Sequence, residues 1–161
     1  MKNTTRSKVY LPMAAMILTA ALAIPAAAQL QQVPFKGAFQ GYDLPLPPTI
    51  LQSITGNGTL VGPFSSTGVS GSPGSANSAH WIAANGDSIY TTVVGFAGPS
   101  DDPDYLKVTE IHTITGGTGR FTGAQWSFIV DRTHVVAPSA DGTHVTFGSF
   151  DGTITPPGAA H

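Results

Sequence analysis

Two positions of one predicted strand carry the side chains best suited to chemistry. Glu110 and His112 are separated by one residue, so in a β-strand they project from the same face. Leu106, Val108 and Ile114 share that face and are apolar. A carboxyl group removed from water can act as a general acid or base, and imidazole changes charge near neutral pH. If this face points into a barrel, the sequence predicts Glu110 and His112 as a catalytic pair.

The same pair also has a structural interpretation. If this face of the strand points outward, both side chains are solvated, or they are tied to Arg120 or Arg132 by ion pairs. Perturbed acid–base pairs mark functional sites as a tendency and not as a rule. The direction of Glu110 therefore decides between the two interpretations.

Aromatic and apolar residues on several predicted strands form a second candidate site. They are suited to line a pocket for a small apolar molecule. They are equally suited to fill a small barrel, because eight strands enclose just enough space for side chains or one small ligand. The predicted ligand-binding residues are Phe35, Phe39, Tyr90, Phe96, Leu106, Val108, Trp126 and Phe128.

Five histidines raise the question of a metal site. None of them shows a paired spacing such as H-x-H, and a structural zinc site needs about four converging ligands. His134 and His144 flank a predicted hairpin and are able to approach each other, but two ligands make a weak site. The chain has no cysteine, which excludes thiol chemistry. We predict no metal and no cofactor.

The start of the chain predicts its compartment. Three basic residues precede an apolar stretch over residues 11–24, which is followed by three consecutive alanines. This order is typical of a secretory signal peptide, and the stretch is shorter than the roughly 20 residues of a spanning helix. We expect a signal peptide over residues 1–28, one domain over residues 29–161, and export to the periplasm or the extracellular space. We expect no membrane insertion after cleavage.

The charge of the expected mature chain limits its partners. All nine acidic residues lie after residue 28, where only four basic residues remain, so the net charge is −5 with histidine neutral. Phosphate backbones and anionic lipids attract basic surfaces. We therefore predict no nucleic-acid partner, and a small apolar molecule remains the expected one. The oligomeric state is left open.

Beyond residue 28 the apolar residues recur at period two, between runs of turn residues. Asn85-Gly86 predicts a hairpin turn, and the segments 116–119 and 140–142 predict two further reversals. Residues 44–48 are proline-rich and predict an extended loop, whereas residues 62–78 are either a poor strand or a mobile loop. The predicted strands are 33–42, 49–55, 58–69, 78–84, 87–97, 105–115, 120–132 and 143–154.

These strands predict an all-β chain that folds as a single small antiparallel eight-stranded barrel, because short turns join antiparallel neighbours in an up-and-down order. Closure of the sheet would remove exposed edges. A chain of this size is also able to bury enough surface to fold without disulfides.

The run Ile114-Thr-Gly-Gly-Thr-Gly-Arg-Phe-Thr-Gly-Ala124 is the most distinctive in the chain. It resembles a hairpin of the allene oxide cyclase and dirigent barrel families, and still more that of small exported bacterial proteins with this barrel. Two further patches, Ala83-Ala-Asn-Gly-Asp87 and Gly148-Ser-Phe-Asp-Gly-Thr-Ile154, are similar to segments of those bacterial proteins.

The resemblance implies a barrel related to lipocalins, with an interior that accepts an apolar molecule. Plant members cyclise an unstable fatty-acid epoxide or steer the coupling of phenoxy radicals, and the exported bacterial group is largely without assigned activity. Relatives have a small residue where this chain has Trp126, so we expect the indole to fill part of the cavity.

Three functions follow as expectations. The first is an exported, non-enzymatic barrel that binds a small apolar ligand in its lumen. The second is an isomerase or cyclase that uses Glu110 and His112. The third is a packed structural or interaction barrel without a ligand, which a bulky residue such as Trp126 favours slightly.

Overall fold

Eight antiparallel strands, each hydrogen-bonded to its neighbours in the chain, form a closed barrel in which β8 pairs with β1. The predicted all-β fold and its eight-stranded closure are thereby confirmed. The strands are β1 (Val33–Leu46), β2 (Thr49–Gly58), β3 (Gly62–Ser70), β4 (Asn77–Ala83), β5 (Ser88–Pro99), β6 (Tyr105–Gly117), β7 (Ser127–Val135) and β8 (His144–Ile154).

The structure is a computed structural model that describes residues 31–71 and 77–155. The predicted signal peptide and the last residues of the expected domain lie outside these ranges. Among the described residues, no helix is long and apolar enough to cross a membrane.

Aromatic side chains fill one end of the lumen. Because successive side chains of a strand point to opposite faces, alternate residues of each strand face the interior. Five of these inward side chains contact one another, with ring centroids 4.9 to 5.7 Å apart. We call them the aromatic core: Phe35, Phe64, Trp81, Phe128 and Phe150.

The aromatic core lies toward the end of the barrel that holds the β2–β3, β4–β5 and β6–β7 connections, which we call the closed end. The opposite end, the mouth, is bordered by the β1–β2, β5–β6 and β7–β8 connections. The two ends differ in what fills the lumen between them.

The β6–β7 connection differs from its prediction. The expected reversal at residues 116–119 is wrong, because β6 continues to Gly117 and a 3₁₀ turn at Gly119–Phe121 follows. Phe121 is buried and packs under the aromatic core, so the connection closes this end of the barrel. The predicted seventh strand at 120–132 therefore begins too early, since β7 starts at Ser127.

Other turn predictions are confirmed. The Asn85-Gly86 turn joins β4 to β5, and Gly86 has a positive φ of 88°, which glycine adopts without steric cost. Arg120 folds back over the closed end and does not pair with Glu110: its Nη2 donates to the Val61 carbonyl oxygen at 3.1 Å, and its Nε lies 3.4 Å from Asp87 Oδ2.

Two weakly predicted segments form strands. β3 covers Gly62–Ser70 and β4 begins at Asn77, whereas residues 72–76 lie outside the described residues. β1 runs to Leu46 and does not end at residue 42, so the expected loop over 44–48 is confined to the turn at 47–48. This extension places Asp43 inside a strand, where its side chain faces the lumen.

Candidate functional site

The face of β6 that carries Glu110 and His112 points into the lumen. Glu110 is 4% exposed and His112 is 3% exposed. Ile114 is buried toward the closed end, and Leu106 and Val108 are half-buried toward the mouth. The alternative of a solvated, outward-facing pair is therefore wrong.

Arg132 joins two buried carboxylates that come from different strands. Its Nη2 lies 3.1 Å from Glu110 Oε1, and its Nη1 lies 2.5 Å from Asp43 Oδ2. Nη1 also donates to Thr146 Oγ1 at 3.2 Å. We call Asp43, Glu110 and Arg132 the charged cluster; none of the three is more than 8% exposed. Removing one partner of such a buried pair leaves an uncompensated charge away from water.

Strand register brings the charged cluster together. Arg132 lies opposite Val108 on one side and opposite Gly148 on the other. A Cβ atom at Gly148 would lie 2.2 Å from the Asp131 carbonyl oxygen and 2.9 Å from the Arg132 Cβ. Glycine therefore leaves the space over β8 to the guanidinium, which crosses that strand to reach Asp43 on β1.

The environment of Glu110 favours its ionised form. Burial opposes ionisation, but the contact with His112, the charge of Arg132 and a hydrogen bond from Gln52 outweigh it and lower the pKa of Glu110 from 4.5 to about 2. Burial likewise opposes the charge of Arg132, and the two carboxylates more than offset it, so the pKa of Arg132 is raised. Glu110 and Arg132 are therefore both charged in the folded protein.

Two histidines border the charged cluster. His134 Nδ1 lies 2.7 Å from Asp43 Oδ2, and its ring stacks on His144 with centroids 4.8 Å apart. His144 Nδ1 donates to the Val135 carbonyl oxygen at 3.0 Å. The two histidines thus approach each other, as expected from their positions beside the hairpin. Among the described residues, no group of three or more side chains is arranged to hold a metal ion.

His112 lies deeper, against the aromatic core. Its ring stacks on Phe128 with centroids 4.9 Å apart, and its Nδ1 lies 3.0 Å from Thr91 Oγ1. Its Nε2 is 3.6 Å from Glu110 Oε2, beyond hydrogen-bond length, and is buried without a hydrogen-bond partner. A void of about 10 Å³, about the size of one water molecule, is lined by the imidazole, Trp81, Glu110 and Arg132.

A larger cavity opens at the mouth, above the charged cluster. It has a volume of about 200 Å³, and Glu110 and Arg132 form the boundary between it and the deep void. Apolar side chains supply most of its wall. The lining residues that matter for function are Asp43, Val93, Leu106, Val108, Glu110 and Arg132.

Of the aromatic side chains predicted to line the lumen, three lie elsewhere. Tyr90 is on the outer wall, where it stacks on His80, and Phe96 is 63% exposed at the rim of the mouth. The predicted inward position of Tyr90 is wrong, because Thr91 and Val93 take the inward places on β5. Phe96 does not face the lumen either, but it lines the mouth cavity. The other predicted aromatic residues, Phe35, Phe39 and Phe128, are buried in the lumen as expected.

Trp126 does not fill the cavity. Its side chain is 41% exposed, because the connection before β7 turns at Gly123 and Trp126 itself has a positive φ of 94°. The alternation of β7 starts only at Ser127, so the expected shared face of Trp126 and Phe128 is wrong.

The outer wall carries a concavity of its own. It has a volume of about 1130 Å³ and is lined by outward residues of several strands, including Tyr42, His80 and Tyr90. No member of the charged cluster lines it. It is therefore a separate surface from the mouth.

Sequence reasoning missed Asp43. Phe35, Phe39 and Asp43 follow one another at spacings of four, so period two places all three on the inward face of β1. Ending the strand at residue 42, before the prolines, hid this relationship. Arg132 lies four residues after Phe128, so period two places both on the inward face of β7. From the sequence, Arg132 is predicted only as an ion-pair partner.

Fold and site together define a closed antiparallel β-barrel with an aromatic core at one end and a buried charged cluster beneath a small cavity at the other. No family model, curated protein or solved structure matches the chain. The resemblance to the allene oxide cyclase and dirigent families therefore stays a prediction that depends on three short patches.

Proposed function

We propose that this chain is a binding protein that holds a small, largely apolar molecule in the mouth of its barrel and catalyses no reaction. The mouth cavity carries this proposal. Val93, Leu106 and Val108 form apolar walls above a floor of Glu110 and Arg132. Ligand sites in proteins commonly combine apolar walls with a few fixed polar groups, which orient the bound molecule.

The packing of the lumen limits where the ligand sits and how large it is. Below the charged cluster, the aromatic core leaves a void of only about 10 Å³. A ligand therefore occupies the mouth and not the whole lumen. The mouth cavity, with about 200 Å³, offers room for a short chain or a single ring.

We further propose that binding takes place outside the cytoplasm. The basic, apolar and small-residue segments at the start of the chain support this location. N-terminal sequencing of the protein recovered from a periplasmic or culture fraction tests it. A mature chain that starts at Gln29 is the expected result, and an uncleaved cytoplasmic protein would contradict it.

An isomerase that uses Glu110 and His112 is the second candidate, since both side chains face the lumen and lie 3.6 Å apart. Two features weigh against it. A carboxylate whose pKa is about 2 is a weak base, and Glu110 is already paired with Arg132. The void beside His112 is also too small for an organic substrate.

Binding at the mouth is tested by blocking it. Val108→Trp places an indole in the mouth cavity, whereas Ile111→Trp places one on the exposed outer face of the same strand. We expect titration with small apolar probes such as hexan-1-ol, followed by NMR, to shift the amide signals of Val93 and Val108. Val108→Trp should weaken binding about tenfold or more by steric exclusion, and Ile111→Trp should leave it unchanged.

A third variant separates the mouth from the outer wall. Tyr90→Ala changes the outer concavity without touching the mouth. Binding that is lost in Tyr90→Ala but kept in Val108→Trp would contradict the proposed function. Absence of any binding, together with no molecule in a solvent extract of the natively purified protein, would favour a packed structural barrel.

A further inference from the structure

The charges that face the mouth cavity are unbalanced. Among the described residues that line it, two carboxylates, Asp43 and Glu110, face a single guanidinium, Arg132. All three are buried, so water screens them weakly. While His134, which also lines the cavity, is neutral, the floor therefore carries an excess of negative charge.

Asp43 has acceptor capacity that the protein does not use. Its Oδ2 takes both the Arg132 and the His134 contacts, whereas its Oδ1 is buried without a hydrogen-bond partner. An ionised carboxylate can accept about four hydrogen bonds, and an unsatisfied buried acceptor costs about 1–3 kcal/mol. A donor supplied by a ligand would remove this cost.

Two of the three guanidinium nitrogens of Arg132 are committed to protein groups, and the third, Nε, is buried without a hydrogen-bond partner. Nη1 of Arg132 is committed to Asp43 and Thr146, and Nη2 is committed to Glu110. A ligand carboxylate at Nη1 or Nη2 would compete with a protein carboxylate, and at any of the three nitrogens it would add negative charge to a site that already has an excess. The site thus disfavours anions.

From this geometry we propose that the mouth selects a cationic ligand, a primary ammonium group on a short apolar body, with the ammonium directed to Asp43. The inference rests on the binding function proposed above and specifies the ligand class. An ammonium group offers three donors, a positive charge and no acceptor, which matches the excess of carboxylate on the floor and the unpartnered Oδ1 of Asp43. Val93, Leu106 and Val108 contact the apolar body.

His134 and His144 are the other titratable groups beside Asp43. A protonated imidazole would supply the missing positive charge and compete with the ligand. The test is therefore run at pH 8.5, on the alkaline side of the ordinary titration of imidazole, where alkylamines still carry their charge.

Three probes of equal chain length test the inference: hexylammonium, hexan-1-ol and hexanoate. Their affinities are measured by NMR titration of the amide signals of Val93 and Val108. We expect hexylammonium to bind about tenfold more tightly than hexan-1-ol, because hydrogen bonds to charged groups are the stronger ones, and hexanoate to bind most weakly. In Asp43→Asn, the affinity for hexylammonium should fall to within about threefold of the affinity for hexan-1-ol.

The matched control is Asp131→Asn, which removes a carboxylate from the exposed outer face of β7, where it accepts from Thr109. This variant should keep the selectivity. If Asp43→Asn fails to fold, Glu110→Gln removes the other negative charge of the floor and should reduce the preference in the same direction.

The outcomes separate the two proposals. Equal affinities for hexylammonium and hexan-1-ol, or tightest binding of hexanoate, would overturn the ammonium inference and leave the mouth as a binding site. Unchanged selectivity in folded Asp43→Asn would overturn it as well. If no probe binds the unmodified protein, the proposed binding function itself is wrong.

Discussion

The two ends of the lumen are filled by different kinds of side chain. At the closed end, five aromatic rings contact one another and leave no space for a ligand. Toward the mouth, the same strands contribute Asp43, Glu110 and Arg132, and a cavity of about 200 Å³ lies above them. One barrel therefore combines a packed region with a region that is charged and open.

This difference separates stability from function. Burial of large aromatic side chains is a direct source of folding free energy. A buried ion pair is not, because replacing it by apolar residues of similar volume is often neutral or stabilising. Stability alone therefore does not account for a charged cluster inside the barrel. The proposed binding function does, because the cluster would orient a ligand in the mouth cavity.

The largest effect is expected at the closed end. Phe150 contacts four other members of the aromatic core, and Phe150→Ala should lower the free energy of unfolding by about 4 kcal/mol through lost burial and a cavity. Phe147→Ala, on the same strand but 44% exposed, should change it by less than about 1 kcal/mol. Urea unfolding measures both. Similar losses in the two variants would mean that the aromatic core does not dominate stability.

The closed end was also the part more open to prediction from the sequence. Period-two alternation places Phe35 and Phe39 inside, and closure follows from eight strands with short connections. The mouth was harder, because the charged cluster joins β1, β6 and β7, and no local pattern states that residues 89 positions apart meet. The outward orientation of the Trp126 side chain could not be predicted, because it depends on a positive φ, which is rare at a bulky residue.

A smaller, pH-dependent effect is expected at the mouth. The pKa of Glu110 is about 2 in the folded protein and 4.5 for an unperturbed group. Because the folded value is the lower one, the stabilisation is complete above about pH 4.5 and is lost as the pH falls through 2. A shift of this size corresponds to about 3 kcal/mol. Unfolding by urea between pH 7 and pH 2 measures it.

The control for this effect is Glu110→Gln, which keeps the shape and removes the titration. Other carboxylates act equally in both proteins, so the difference between wild type and variant should shrink from pH 5 to pH 2. In Phe150→Ala the difference from wild type should stay constant with pH, because no charge is altered. Parallel pH profiles for wild type and Glu110→Gln would contradict a lowered pKa of Glu110 in the folded protein.

The smallest effect is expected at Trp126, which belongs to neither region. Because its indole is 41% exposed, Trp126→Ala should change the free energy of unfolding by less than about 1 kcal/mol. Trp126→Gly should be at least as stable as Trp126→Ala, since glycine adopts a φ of 94° without the strain of a Cβ atom. Urea unfolding of the two variants measures both free energies, and iodide quenching of Trp126 fluorescence in the wild-type protein checks the exposure of the indole. A loss in Trp126→Ala as large as that in Phe150→Ala would place the indole inside the barrel and extend the packed region beyond the aromatic core.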